Sequence, residues 1–138
     1  MTKIYTSEIH YTGEDKLDIT VGTGTRIFAP TGSMVINYHD HKLSEMEYHE
    51  QYLDKMRLSY KMGKNAWHRL ILDKDTVVIC CFCLPDAFCH RYILVSILQG
   101  MGCEYCGELV RIGREYKVIQ PKIMDRFFRK PQFNLTDW

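Results

Sequence analysis

Residues 75–91 read DTVVICCFCLPDAFCHR, and the reading of this stretch decides the fold. From Thr76 to Phe82 every residue is β-favouring or apolar, with no alternation. That pattern belongs to a strand buried on both faces, inside a parallel or mixed sheet. Leu84-Pro85-Asp86 breaks the run. Asp86 is placed to N-cap a helix from Ala87 to about Met101, closed by Gly102. Phe88, Tyr92, Ile93, Leu94, Val95, Ile97 and Leu98 make that helix apolar almost all round, so it is predicted to be largely buried. A short strand over 104–109 follows, and the strand–turn–helix–strand order is that of a right-handed, Rossmann-like crossover. The predicted fold class is therefore a single-domain α/β protein with a mixed or parallel central sheet flanked by helices.

Upstream, Lys3–Thr6 and Leu17–Val21 read as strands, the second by its period-two alternation. Gly22-Thr23-Gly24 invites a dinucleotide-fingerprint reading, but Ile27 stands in place of the third glycine and no helix follows directly. Met34, Val35 and Tyr38 suggest a short helix. Ser44 with Glu47 forms a capping box, opening a helix to about Met62. Its core face is predicted at Met46, His49, Leu53, Met56 and Tyr60, with Tyr48 and Tyr52 flanking it and turning their hydroxyls toward a cleft. Gly63 ends this helix, and 65–70 reads as a further helical segment.

The chain has 138 residues, 46% hydrophobic and 25% charged, enough for one real core and too apolar for disorder. A net charge of +1 excludes a global field toward nucleic acid or membrane. The charge is unevenly placed: residues 110–138 hold seven Lys/Arg against three Asp/Glu, and residues 1–109 hold eleven against fourteen. The division predicted is an α/β core over 1–109 and a basic, aromatic C-terminal extension over 110–138 packed on that core. Six cysteines fall between residues 80 and 106. Met1-Thr2-Lys3-Ile4-Tyr5 leads into charged residues rather than an apolar signal, so the cysteines read as reduced thiols of a cytoplasmic protein. The longest apolar runs, 76–84 and 92–98, are too short to span a bilayer.

Chemistry concentrates at Cys83–Arg91, at the carboxyl end of the buried strand, where ligands of open α/β sheets bind. Arg91 offers a planar charged fork for phosphate or carboxylate, and His90 a group that donates or accepts near neutral pH. The alternative is that Arg91 pairs with a carboxylate such as Glu108. A phosphatase-type nucleophile loop is excluded, since Pro85 stands where its cysteine would fall and Cys83 lies too far upstream. Cys81-x-Cys83, Cys89-His90 and Cys103-x-x-Cys106 supply soft ligands, but only the last has the spacing of a zinc knuckle, so no metal or other cofactor is assigned.

These residues resemble a known family, the bacterial and phage "domain of unknown function 488". The resemblance runs over about residues 3–109, through Tyr5-Thr6-Ser7, Phe28-Ala29-Pro30, Glu47-Tyr48 with Tyr52, the block from Cys83 to Arg91, and Gly107-Glu108. Many members carry an acidic residue soon after the first cysteine of that block, where this chain has Leu84 and Pro85. The resemblance implies an α/β fold whose motifs converge on one pocket, and it carries no established reaction. Thr6, Ser7, Tyr48, Tyr52, Cys83, His90, Arg91 and Glu108 are the residues expected to line that pocket. The expected partner is an anionic, nucleotide-like small molecule, bound rather than turned over, with no catalytic residue assigned. A phage protein of this kind could sequester host nucleotide signals, such as cyclic or ADP-ribose derivatives, in the host cytoplasm. The alternatives are a hydrolase or transferase acting on a nucleotide or modified base, with His90 as acid/base and Glu108 as its partner, and nucleic-acid binding through the basic tail. No membrane contact is expected, and the oligomeric state is left open.

Overall fold

The computed structural model describes residues 2–128. In chain order it has β1 (Lys3–Glu8), β2 (Lys16–Asp18), α1 (Gly32–His39), α2 (Glu45–Met62), α3 (Lys64–Leu72), β3 (Thr76–Cys81), α4 (His90–Gly100), β4 (Glu104–Ile112) and β5 (Glu115–Ile119). A 3-10 turn (Lys122–Met124) and a one-turn helix, α5 (Asp125–Phe128), close the described chain. The strand order is β2-β3-β1-β4-β5; the first four run parallel and β5 is antiparallel to β4. The protein is thus a single α/β domain on a mixed sheet, as the sequence predicts.

The two helical connections, β2 to β3 and β3 to β4, step across the sheet in the same direction. Right-handed crossovers then put both sets of helices on one face. Consistent with this, α4 touches β1, β3 and β4 and also packs against α2, which in turn meets α1 and α3. The core lies between these layers, around Ile4, Val77, Ile79, Trp67 and the apolar body of α4. Trp67 is edge-on to Phe28 at 4.8 Å between centroids. Among the described residues no helix is long and apolar enough to cross a membrane.

Four elements differ from the sequence reading, each for a local reason. β2 stops at Asp18 instead of Val21, because the Asp18 carboxylate accepts from the backbone N–H and hydroxyl of Thr20 and the hydroxyl of Thr23, which turns the chain. The capping box of Ser44 and Glu47 is present, but α2 buries Tyr48, Tyr52, Met56 and Tyr60, and Met46 is 72% exposed. The four-residue stripe wins because each tyrosine hydroxyl keeps a partner, Tyr48 on His90 and Tyr52 on the Phe28 carbonyl inside, and Tyr60 on His68 at the surface. α4 starts at His90, three residues later than expected, with Cys89 in extended conformation as its N-cap. Finally, β4 runs on to Ile112 and turns at Gly113, φ 66°, into β5. The stretch read as the start of an extension therefore forms the end of β4 and all of β5, and residues 129–138 of that extension lie outside the described residues.

Candidate functional site

Asp86 does not cap α4. It sits at φ 64°, in the left-handed region that aspartate tolerates better than most residues. Its N–H donates to Tyr92 Oη at 2.9 Å, and its carboxylate accepts from the Ile123 N–H at 2.6 Å. The loop after β3 is thereby tied both to α4 and to the C-terminal turn. Asp86→Ala is expected to cost about 1–2 kcal/mol, by losing the bond and the conformational tolerance together. Asp86→Asn should stay within about 0.5 kcal/mol of wild type in the same urea titration, since Asn accepts the bond and tolerates the region. An alanine variant as stable as wild type would show that this tie does not hold the loop.

The loop folds back so that both its ends meet at the carboxyl end of β3. Cys81 and Cys89 have their sulfurs 2.7 Å apart, and Cys83 joins them, all three sulfurs lying within 4.8 Å of one another. Hydrogen bonds from the Cys83 and Cys89 thiols, with the Arg91 guanidinium beside them, hold the Cys81 thiol well below its usual range despite its burial. Cys83 is pushed up to about 11, first by its bond to Cys81, and burial drives Cys89 well above the ordinary thiol range. Cys80, one residue from Cys81, belongs to the other face of β3 and keeps a buried thiol pushed up to about 12 by desolvation. Cys103 and Cys106 do not join the cluster among the described residues.

Behind the sulfurs lies a buried polar knot. Arg91 and Glu108 are both 0% exposed and pair at 3.3 Å. The guanidinium also donates to Cys81 Sγ and the Cys83 carbonyl, each at 2.8 Å, to the Leu84 carbonyl at 3.0 Å, and to Tyr92 Oη at 2.9 Å. Only its Nε is left without a partner among the described residues. Glu108 also accepts from the hydroxyls of Thr6 and Tyr92. Burial pushes its carboxyl up, against the pull of Arg91 and those hydroxyls.

A β-bulge assembles this knot. Ile4 pairs with Tyr105 but Tyr5 pairs with Gly107, so Cys106 is an extra residue in β4. On a regular strand Tyr105 and Glu108, three residues apart, would face opposite sides. With the bulge both reach Thr6, Tyr105 Oη lying 2.6 Å from its Oγ1.

In front of the sulfurs opens a cleft of about 620 Å³. Its walls are Tyr38, Tyr48 and Phe88, mutually packed at centroid distances of 5.4–5.7 Å, together with Thr20 and Val21 beyond β2. Cys81, Cys83, Cys89 and His90 form the floor. His90 Nε2 lies 2.9 Å from the Ile19 carbonyl and Nδ1 lies 3.4 Å from Tyr48 Oη. Burial keeps the His90 ring below its ordinary pKa. An adjoining cleft of about 660 Å³ shares Tyr38 and His39 and is lined by His41 and Lys42 together with Glu45 and Glu47.

The sequence-derived residues thus divide. Tyr48, Cys83 and His90 line the cleft. Thr6, Arg91 and Glu108 form the knot behind it, so the guanidinium holds the protein's own groups rather than facing the cleft. Tyr52 is buried and donates to the Phe28 carbonyl at 2.7 Å, and Ser7 donates to the Leu109 carbonyl. His90 and Glu108 bond to different partners and do not form an acid/base pair. Cys81, Tyr38 and Phe88 were not among the expected site residues. Cys81 carried a signal, since Cys81-x-Cys83 puts two thiols two residues apart along an extended chain, but the two aromatic rings carried none beyond apolarity.

A family model described as the active DUF488-N3 subclade, DUF488-N3a, matches residues 2–102. That span takes in the thiols, His90 and Arg91 and stops before Glu108. No curated protein matches the chain, and no solved structure does.

Proposed function

The chain belongs to the active DUF488-N3 subclade. From the geometry of the cleft we propose that it binds a nucleotide-like small molecule, with the planar base between Tyr38, Tyr48 and Phe88. The observation that carries this reading is the pairing of two clefts. One has aromatic walls and a polar floor, and the next, sharing Tyr38 and His39, offers His41 and Lys42 to a phosphate. Aromatic faces take any base, and an ammonium takes a phosphate as a point charge. The anion is accordingly assigned to the rim, while the buried Arg91 fixes the floor.

A thermal-shift panel of nucleosides, mononucleotides, cyclic nucleotides and ADP-ribose tests this. At least one nucleotide should raise the melting temperature of the wild type. Phe88→Ala should weaken that ligand by about 1–3 kcal/mol, the value of one base–aromatic stack, read as the ligand-induced shift above the variant's own lowered melting temperature. A panel without any shift, or a shift that Phe88→Ala leaves intact, contradicts the reading. Mass analysis of the ligand recovered after incubation and heating should return it unaltered, as sequestration requires. An altered product would favour the second reading, turnover by a hydrolase or transferase, which the three sulfurs on the cleft floor support.

A further inference from the structure

We propose that Cys81, Cys83 and Cys89 hold one zinc-class cation at the floor of the cleft, with His90 Nδ1 as the fourth donor. The chain delivers the three sulfurs from both ends of one pinned loop. Cys81 ends β3, Cys83 follows two residues on, and Asp86 turns the chain so that Cys89 returns as the N-cap of α4. The result is three sulfurs within 4.8 Å of one another. A tetrahedral ion bonded to sulfur at about 2.3 Å spaces neighbouring sulfurs by roughly 3.8 Å. The shortest separation here is 2.7 Å and all lie within 4.8 Å, so shifts of about 1 Å in side chains close the site.

The surroundings match what a thiolate–metal centre needs. His90 Nε2 faces the Ile19 carbonyl at 2.9 Å, and because a carbonyl only accepts, that nitrogen carries the hydrogen. In the neutral ring Nδ1 then carries the lone pair; it lies 3.8 Å from Cys89 Sγ and 3.4 Å from Tyr48 Oη, outside the group of three sulfurs, so the ring exchanges its Tyr48 bond for the ion as the site closes. A ring nitrogen held to a backbone carbonyl while the other meets the metal is the usual arrangement of a ligating histidine. Arg91 donates an N–H to Cys81 Sγ at 2.8 Å. Three thiolates around a divalent ion leave one negative charge, and this guanidinium, shared with Glu108, stands beside it. The soft three-sulfur, one-imidazole set selects zinc over calcium or magnesium, which take oxygen ligands. A cation here would tie β3 to α4 and fix the floor on which the cleft rests.

The untagged full-length chain, purified under reducing conditions and exchanged into metal-free buffer after incubation with zinc, tests this by elemental analysis. About one zinc per chain is expected, as for one tetrahedral site. Cys83→Ser, at a half-exposed position, should lose most of the zinc, and Cys103→Ser, outside the cluster, should keep it. Cobalt added to the metal-free wild type should give thiolate charge-transfer bands and the visible spectrum of a tetrahedral site, a readout independent of any variant's folding. Zinc at background level without cobalt bands overturns the proposal. So does equal zinc in wild type and Cys83→Ser, or recovery of a Cys81–Cys89 disulfide under the same reducing conditions. No nucleotide enters this experiment, so its failure would leave the cleft reading standing, and the reverse holds as well.

Discussion

Arg91→Ala is expected to lower the unfolding free energy by about 3–5 kcal/mol, the cost of breaking a buried ion pair from one side. The size follows from what the guanidinium holds. Without it the Glu108 carboxyl stays buried with only hydroxyl donors, and the Cys83 and Leu84 carbonyls and Cys81 Sγ each lose a donor. Arg91→Lys should recover only a minority of the loss, because a single ammonium cannot reach three sides of the knot in one plane. Replacing Arg91 and Glu108 together by Met and Leu should cost much less than the two single changes summed, since no charge is then left unpaired. Urea titrations of the wild type, the four single variants and the double variant measure all of this. A loss below about 1 kcal/mol for Arg91→Ala would mean that the guanidinium is solvated, as surface pairs are, and that the knot does not exist.

Gly107→Ala is the second large effect, about 2–4 kcal/mol, from backbone strain and overpacking combined. Gly107 sits at φ 128°, and a Cβ there would stand 2.6 Å from the Ile119 carbonyl oxygen and 2.7 Å from Val118 Cγ1. The Ile119 carbonyl cannot yield without moving β5, because Ile119 is in register with Glu108, whereas the half-exposed Val118 side chain can turn away. Removing the bulge would also turn Tyr105 and Glu108 to opposite faces, so the damage should reach Arg91. Ala introduced at Gly102 shares the positive φ but meets nothing within 4 Å, and it should cost less than Gly107→Ala in the same assay. Equal losses at the two positions would remove the bulge from the account.

The parts of this fold that were legible in the sequence are those set by local chemistry. The unalternating run from Thr76 identified a buried strand because both faces of β3 are covered, and Ser44 with Glu47 located α2 because a capping box needs no distant partner. The β4–β5 hairpin was legible in principle. Gly113 falls between two alternating runs, but Arg111, Arg114 and Lys117 outweighed them, and an edge hairpin carries such charges on its solvated side. The start of α4 was not legible, since the conformation of Asp86 depends on the Ile123 N–H, 37 residues away. For the site, the Cys83–Arg91 block identified the right place but not the facing of its side chains. Adjacent His90 and Arg91 look alike in sequence, yet one lines the cleft while the other is enclosed by Glu108, a partner chosen by a bulge two strands away.

The central claim, that the aromatic cleft at the carboxyl ends of β2 and β3 is the ligand site, is tested most directly by amide chemical-shift mapping with the nucleotide giving the largest thermal shift. The account expects saturable changes centred on Thr20, Val21, Tyr38 and the segment from Cys81 to His90, spreading to His41 and Lys42, and lost in Phe88→Ala. Changes centred instead on β5 and the residues beyond it, or none at saturating nucleotide, would contradict it.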